Sequence, residues 1–211
     1  MLEPPERATT FALTRPIEFK RSMFFLVRHG QTPLGAENRW QGCKQDVELT
    51  PLGCAEVAAL VPFLPNVHIF SSPLKRTIQT STIISEALNV PFYTYEELKD
   101  VDIGLWGGRT AEETDGMMPT EVKFKQRNHM LIDFPEGETV TSIIARTQHF
   151  VDQVKPPAII VGHQLPLQVL ICLLTGIDLN FARKLHIDEA ALSIVRHTEL
   201  EVLNFKNRRI E

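Results

Sequence analysis

The first apolar run of the chain leads directly into three residues of a different chemical kind, in the stretch Met23-Phe24-Phe25-Leu26-Val27-Arg28-His29-Gly30. A short apolar run followed by a polar turn predicts a buried strand that leaves a sheet. Ligand sites in open α/β sheets lie just beyond the carboxyl ends of the strands. At that place Arg28 offers a planar fork for phosphate, His29 a nucleophilic imidazole and Gly30 a backbone that a ligand can approach closely. A lone tripeptide of this kind is weak evidence, so its interpretation depends on the motifs that follow.

Strands and helices alternate outward from this stretch. A capping residue followed by proline, at Thr50-Pro51 and again at Ser72-Pro73, predicts the start of a helix at each place. The predicted helices span 51–63, 72–88, 139–154 and 165–175, the predicted strands span 23–27, 67–70, 90–95, 158–161, 192–195 and 200–205, and residues 98–137 are loop-rich. This βαβα order predicts a three-layer α/β fold, with a mainly parallel central sheet and helices on both faces. We expect one domain over residues 23–211, preceded by a tail or extra segment at residues 1–22.

The composition of the chain excludes several classes of protein. The 211 residues carry a formal net charge of -4 and a sequence pI of about 6.0, whereas nucleic-acid-binding domains are usually basic. No apolar run approaches the length of a membrane span, and residues 1–22 lack the continuous apolar region of a signal peptide. The three cysteines, Cys43, Cys54 and Cys172, match neither a zinc pattern nor a disulfide framework. We therefore expect a cytoplasmic protein that binds neither nucleic acid nor a membrane.

Several further motifs follow Arg28-His29-Gly30 in a definite order. They are Gln31-Thr32, Asn38-Arg39-Trp40-Gln41-Gly42, Leu49-Thr50-Pro51-Leu52-Gly53, Ser71-Ser72-Pro73-Leu74-Lys75-Arg76-Thr77-Ile78-Gln79-Thr80, Leu98-Lys99-Asp100-Val101-Asp102-Ile103-Gly104-Leu105-Trp106-Gly107-Gly108, Pro135-Glu136-Gly137-Glu138-Thr139 and Ile159-Ile160-Val161-Gly162-His163. This ordered set resembles the histidine phosphatase superfamily, in its phosphoglycerate-mutase-like branch, over roughly residues 23–205. Several independent motifs in the right order are more specific than any one of them.

The resemblance assigns catalytic roles to two histidines and two arginines. It implies that His29 attacks phosphorus and becomes transiently phosphorylated, which divides the displacement into two easier steps. Arg28 and Arg76 would clamp the non-bridging oxygens through charge-assisted hydrogen bonds. His163, at the end of another apolar run, would donate a hydrogen bond and stabilise developing charge. The chain departs from the family at Gln164, where glycine usually follows this histidine.

Further residues are candidates for contacts with the phosphate or with the rest of the substrate. Gly30, Gln31 and Thr32 follow the nucleophile directly and are predicted to bind phosphate. Arg39 is open between a substrate contact and an exposed loop cation. The predicted specificity loop, residues 109–134, mixes apolar and basic side chains and suits many small anions. The other histidines match no motif and are interpreted as surface or packing residues: His68, His129, His149, His186 and His197.

The general acid is the assignment that the sequence leaves most open. The family usually places glutamate four residues before the glycine that is Gly104 here, and that position is Asp100. Aspartate can protonate the ester oxygen and then deprotonate the attacking water, although it is one methylene shorter. Glu97 is the next candidate. Gly107 stands where the family has an acidic residue, which is expected to alter the contacts with substrate.

Three functions are compatible with these motifs. The favoured one is a metal-independent phosphomonoesterase that hydrolyses a small phosphorylated metabolite and uses no cofactor. The second is a mutase that returns the phosphoryl group to its substrate, but such members carry a longer insert than residues 109–134 allow. The third is a catalytically weak binding or regulatory module, which the departures at Asp100, Gly107 and Gln164 would explain. The sequence leaves the particular ester and the oligomeric state open.

Overall fold

The computed structural model describes residues 22–207, so the predicted segment 1–22 lies outside them apart from Ser22. The strands are β1 (Met23–Arg28), β2 (Ile69–Ser71), β3 (Phe92–Thr94), β4 (Ala158–Gly162), β5 (Leu192–Arg196) and β6 (Glu199–Phe205). The α-helices are α1 (Pro33–Ala36), α2 (Pro51–Leu60), α3 (Lys75–Leu88), α4 (Ala111–Asp115), α5 (Thr120–Arg127), α6 (Val140–Gln153) and α7 (Gln164–Thr175). Short 3-10 helices lie at Val61–Phe63, Glu96–Leu98, Gly104–Trp106 and Leu179–Lys184.

Strand β1 lies in the middle of the sheet because it is apolar on both faces. Met23, Phe25 and Val27 belong to the core on one face, while Phe24 and Leu26 belong to the core on the other. The strand order is β3-β2-β4-β1-β5-β6. Strands β3, β2, β4 and β1 run parallel, whereas β5 is antiparallel to both β1 and β6. The prediction of a mainly parallel central sheet is therefore confirmed.

Helices cover both faces of this sheet, as the alternation of elements predicts. Val57 of α2 and Ile84 of α3 are buried in the core on one face. Phe150 of α6 and Leu167 of α7 are buried in the core on the other. A third apolar cluster surrounds Trp106, which is 1% exposed and therefore packs in the interior.

Two helix starts that are alike in sequence differ in structure. The Thr50 hydroxyl accepts a hydrogen bond from the backbone of Gly53 at 3.0 Å and caps α2 as predicted. Helix α3, however, begins at Lys75 and has no side-chain cap, so the prediction that Ser72 begins it is wrong. The Ser72 hydroxyl lies 2.8 Å from the imidazole of His163 instead. A contact between two distant parts of the chain has taken the side chain that the local pattern assigns to a helix cap.

Gly53 lies where the first turn of α2 touches the loop after β1. A Cβ at Gly53 would lie 2.2 Å from the carbonyl oxygen of Gln31, and backbone atoms cannot easily move aside. Gly53→Ala should therefore lower the free energy of unfolding by about 1–3 kcal/mol, measured by urea denaturation. Gly116→Ala is the matched control, because a Cβ there meets no listed obstacle within 4 Å. Equal stability losses in the two variants would contradict the close approach as the cause.

Candidate active site

The carboxyl ends of β1 and β4 bring the candidate residues to one edge of the sheet. Arg28, the last residue of β1, pairs with Gly162, the last residue of β4. A histidine follows each strand, so His29 and His163 lie side by side with ring centroids 5.2 Å apart. Arg76, near the start of α3, places its Nε 3.3 Å from Nδ1 of His163. The structure thus brings together four predicted site residues from three distant parts of the chain.

His29 is held as a neutral imidazole with one ring nitrogen free for chemistry. Its Nδ1 lies 2.8 Å from the carbonyl oxygen of Gly30, which can only accept, so Nδ1 carries the proton. The lone pair is then on Nε2, as a nucleophile requires. Burial, followed by the neighbouring His163 and the two arginines, holds the pKa of His29 well below its usual 6.5.

The loop after the nucleophile candidate is fixed by the three residues that were predicted to bind phosphate. A Cβ at Gly30 would lie 2.4 Å from the carbonyl oxygen of Gly53, so glycine lets the loop pack against α2. The Gln31 side-chain oxygen accepts from the hydroxyl of Thr50 at 2.9 Å. The Thr32 hydroxyl caps α1. None of these three residues lines the cavity described below, and their contact with phosphate stays a prediction.

Arg28 lines the cavity with part of its guanidinium unpaired. Its Nη1 donates to the carbonyl oxygen of Ile187 at 2.7 Å, but its buried Nε has no partner within residues 22–207. Burial lowers the pKa of Arg28, and the nearby Glu189 opposes that shift. Burial likewise raises the pKa of Glu189, which Arg28 opposes in turn. Because a buried donor without an acceptor is unfavourable, Arg28 has the character of an anion-binding side chain.

Arg76 is fully buried, and its guanidinium is surrounded by acceptors. Its Nη2 donates to Oδ2 of Asp100 at 2.7 Å and to the carbonyl oxygen of Gly42 at 3.1 Å. Its Nη1 donates to the carbonyl oxygen of Gln45 at 3.2 Å, and its Nε faces His163. Asp100 is its one anionic partner within residues 22–207. A phosphate that binds Arg76 would therefore exchange with the Asp100 carboxylate.

His163 lies behind the cavity wall with both ring nitrogens engaged. Its Nδ1 faces the Nε–H donor of Arg76, so the proton is on Nε2, which lies 2.8 Å from the Ser72 hydroxyl. The same Nδ1 lies 3.5 Å from Asp100, a contact that would be an ion pair only for a charged imidazole. Burial, and then Arg76, holds the pKa of His163 well below 6.5, which favours the neutral ring. His163 therefore orients Arg76 here, and its predicted hydrogen bond to phosphate would require one contact to exchange.

Of the two carboxylates considered as general acid, Asp100 lines the cavity and Glu97 does not. The Asp100 side chain is 15% exposed, and its Oδ1 accepts from the backbone of Val101 at 2.9 Å. The Glu97 carboxylate lies 3.5 Å from Nε2 of His149. The geometry therefore favours Asp100 for proton transfer in the cavity.

Arg39 forms part of the cavity wall but already has counter-charges. Its Nε lies 3.0 Å from Glu37 and its Nη1 lies 3.2 Å from Glu113. The Nη1 also donates to the carbonyl oxygen of Gly108 at 2.9 Å. Arg39 thus combines features of the two alternatives, because it is partly buried at the cavity yet paired with surface carboxylates.

These residues surround a cavity of about 360 Å³, which is large enough for a small metabolite. Its apolar lining includes Trp40, Val101, Ile103, Phe134 and Leu165. Four further charged or imidazole-bearing lining residues were not site candidates from the sequence: His129, Arg183, His186 and Glu189. The mixed composition of the loop 109–134 is a signal for His129, whereas the other three match no motif. The interpretation of His129 and His186 as surface or packing residues is therefore incomplete.

Residues 22–207 hold no group of three or more His, Cys, Asp or Glu side chains arranged to bind a metal ion. No helix in that part of the chain is both long and apolar enough to cross a membrane. The three cysteines are free, and burial raises the pKa of the Cys172 thiol to about 11. Cys172 is therefore a thiol, not a thiolate, near neutral pH.

The sequence and the fold match known proteins over most of the chain. A family model described as the histidine phosphatase superfamily (branch 1) matches residues 24–204. Phosphoserine phosphatase 1 of Hydrogenobacter thermophilus is 29% identical over 182 residues, which cover 82% of this chain and 86% of that protein. A Yersinia pestis protein named as a probable phosphoglycerate mutase is 30% identical over 186 residues, or 83% of this chain and 85% of that protein.

Solved structures of two phosphatases share the fold. A mycobacterial glucosyl-3-phosphoglycerate phosphatase in complex with VO3 matches with a TM-score of 0.76 at 22% identity, covering 87% of this chain and 99% of that chain. An α-ribazole phosphatase from Shigella flexneri matches with a TM-score of 0.73 at 23% identity, covering 86% of this chain and 96% of that chain. At these identities the likeness establishes the architecture alone.

The buried His29 predicts that stability falls in mild acid. Its pKa in the folded protein lies well below 6.5, so the unfolded state binds more protons once the pH falls below 6.5. The contribution to stability is fully present above pH 6.5 and is lost as the pH decreases from there. Between about pH 7.5 and about pH 5.5, the wild type should lose about 1 kcal/mol more unfolding free energy than His29→Asn, measured by urea denaturation.

His197→Asn is the control for this comparison, because it removes an exposed imidazole at a position whose φ of 54° asparagine tolerates. It should keep the pH dependence of the wild type. If His29→Asn instead loses as much stability as the wild type, His29 is not held neutral by the fold.

Proposed function

Since the chain belongs to the histidine phosphatase superfamily, we propose that it is a phosphomonoesterase that hydrolyses a small phosphorylated metabolite through a phosphohistidine intermediate. The observation that carries the proposal is the state of His29, whose Nδ1 proton is held by Gly30 while Nε2 is free. Arg28 and Asp100 line the same cavity and supply an anion ligand and a proton donor. Similarity to a protein named Phosphoserine phosphatase 1 supports phosphatase activity.

In the first step, Nε2 of His29 attacks phosphorus while the bond between phosphorus and the ester oxygen breaks. The leaving oxygen takes a proton from the carboxylic acid form of Asp100, so the alcohol departs neutral. Arg28 and Arg76 bind the non-bridging oxygens and stabilise the charge of the transition state. The Gly30 carbonyl stays on Nδ1–H and stabilises the positive charge that the ring gains.

In the second step, water attacks the phosphorus of phosphohistidine. Asp100, now a carboxylate, takes a proton from that water. The bond between phosphorus and Nε2 of His29 breaks, inorganic phosphate is released, and the neutral imidazole is restored. One carboxyl group thus serves as acid and then as base, so the site returns to its starting state after each turnover.

Asp100 connects phosphate binding with proton transfer. In the free protein its carboxylate neutralises Arg76 at 2.7 Å. A phosphoryl group on Arg76 takes over that role and frees the carboxyl group. The negative charge of the phosphoryl group then favours the protonated carboxyl, which is the form that a general acid needs. The contact in the free protein therefore holds Asp100 beside the place where its proton is used.

A phosphoglycerate-type mutase is the second candidate, and the similarity to the Yersinia pestis protein favours it. A mutase returns the phosphoryl group from His29 to the substrate, whereas a phosphatase transfers it to water. Between Gly108 and Phe134 the chain forms only the short helices α4 and α5, which leaves little room for the insert expected of a mutase. Release of inorganic phosphate, as opposed to formation of an isomeric ester, separates the two.

The nucleophile is tested with p-nitrophenyl phosphate in the presence of EDTA. The wild type should release phosphate, and His29→Ala should lower kcat by at least about a thousandfold because it removes the attacking atom. A radiolabelled ester, mixed briefly and quenched in alkali, should label the wild type and not the variant. His68→Ala, at an exposed position, is the control and should keep wild-type turnover. Wild-type turnover by His29→Ala would refute the mechanism, and a folded but inactive wild type would favour the mutase or a binding module.

The general acid is tested by varying the leaving group. Asp100→Asn should lower kcat for alkyl phosphates by about 10²–10⁴-fold, because a poor leaving group needs a proton. The loss should be much smaller for p-nitrophenyl phosphate, whose leaving group departs without one. Asp102→Asn is the matched control, because Asp102 pairs with Lys44 and does not line the cavity. Equal losses on both classes of ester would assign Asp100 to binding instead of proton transfer.

A further inference from the structure

The cavity holds a cation that the phosphate chemistry does not use. Arg183 lies in the 3-10 helix Leu179–Lys184, and its side chain lines the same cavity as His29. Its Nη1 donates to the carbonyl oxygen of Met130 at 3.2 Å. Within residues 22–207, no carboxylate lies within ion-pair distance of its guanidinium. Arg183 therefore presents a positive charge to the cavity with most of its hydrogen-bond donors unused.

The other arginines of the cavity differ from Arg183 in this respect. Arg39 is paired with two carboxylates, and Arg28 is close enough to Glu189 for each to shift the pKa of the other. Burial lowers the pKa of Arg183, and no neighbouring charge offsets that effect. A partly buried cation without a counter-charge is unfavourable in the free protein, and a ligand anion at this place would relieve it.

The position of Arg183 is set by rigid contacts on either side of it. The Asp178 carboxylate accepts from the backbone of Asn180 at 2.8 Å and caps the 3-10 helix. The buried Gln168 of α7 donates from Nε2 to the carbonyl oxygen of Leu185 at 2.7 Å. Ala182 is fully buried in the apolar cluster around Trp106. The guanidinium is thus held in place before any ligand binds, which lowers the entropy lost on binding.

We propose that Arg183 is a specificity-determining residue that binds a carboxylate of the substrate, so that the protein prefers phosphate esters of small carboxylic acids. The inference rests on the proposed phosphatase function and adds a second anion contact to the same cavity. One uncompensated guanidinium matches one negative charge, and its planar fork matches the two oxygens of a carboxylate. The nearby apolar walls, including Phe134 and Leu165, suit the short carbon skeleton between the two anions.

The test uses pairs of substrates that differ chiefly in a carboxylate. O-phosphoserine is compared with O-phosphoethanolamine, and 3-phosphoglycerate with glycerol 3-phosphate. The wild type should show a kcat/KM at least about tenfold higher for the carboxylated member of each pair. Arg183→Met should lower kcat/KM for the carboxylated members by about 10- to 100-fold, the range of a charge-assisted hydrogen bond. It should change the other members, and p-nitrophenyl phosphate, by less than about threefold.

Two further variants make the test specific to the guanidinium. Lys184→Met removes the adjacent charge, which lies over the ring of Phe181 and outside the cavity lining, and should keep the wild-type preference. Arg183→Lys keeps the charge but loses the fork, and should restore part of the preference. Equal losses by Arg183→Met on both members of each pair would show that Arg183 only supports the loop at Met130. No preference in the wild type would likewise overturn the proposal.

A binding measurement separates this proposal from the proposed function. In His29→Ala, which should bind esters without hydrolysing them, calorimetry gives the Kd of 3-phosphoglycerate and of glycerol 3-phosphate. Adding Arg183→Met should weaken the first by about 10- to 100-fold and leave the second nearly unchanged. If the wild type hydrolyses p-nitrophenyl phosphate but this Kd ratio ignores Arg183, the carboxylate contact fails and the phosphatase stands. If the ratio depends on Arg183 in a protein that hydrolyses nothing, the phosphatase fails and the anion contact stands.

Discussion

Burial of the Arg76 guanidinium constrains the arrangement of the whole active-site edge. A buried cation requires acceptors for its donors, and Arg76 finds them in the loop at Gly42 and Gln45, at Asp100 and at His163. These partners come from three segments that are far apart in the chain. The side chain therefore ties the edge of the sheet to the loop that carries Asp100, and the site is assembled before a ligand arrives.

The same concentration of positive charge explains why the two histidines are neutral. Both imidazoles are buried beside Arg76 and Arg28, so a further positive charge is unfavourable and the pKa of each ring falls well below 6.5. For His29 this leaves an available lone pair near neutral pH. For His163 it leaves a nitrogen that accepts from Arg76. A bound phosphoryl group adds the negative charge that this part of the molecule lacks, since Asp100 is the single carboxylate paired with Arg76 in residues 22–207.

Patterns that depend on local chemistry agree with the structure. The apolar run of β1 is buried on both faces, and its alternating side chains enter two separate cores. The Thr50 cap at α2 is also confirmed, because it needs only a hydroxyl and the backbone three residues later. The similar signal at Ser72 fails, because the hydroxyl is close to His163 and α3 begins at Lys75. A local pattern therefore predicts a contact reliably only when no distant residue competes for the same group.

The residues alone identify the α/β architecture and place Arg28, His29, Arg76 and His163 at the ends of elements, because strand periodicity and short motifs are properties of neighbouring residues. Only the folded chain distinguishes Asp100 from Glu97, since proximity to Arg76 and to the cavity depends on how a long loop packs. It also moves Gln31 and Thr32 out of the cavity lining and brings Arg183 into it. The physical reason is that hydrogen bonding and charge compensation in a buried site depend on distances in space, which no spacing along the chain specifies.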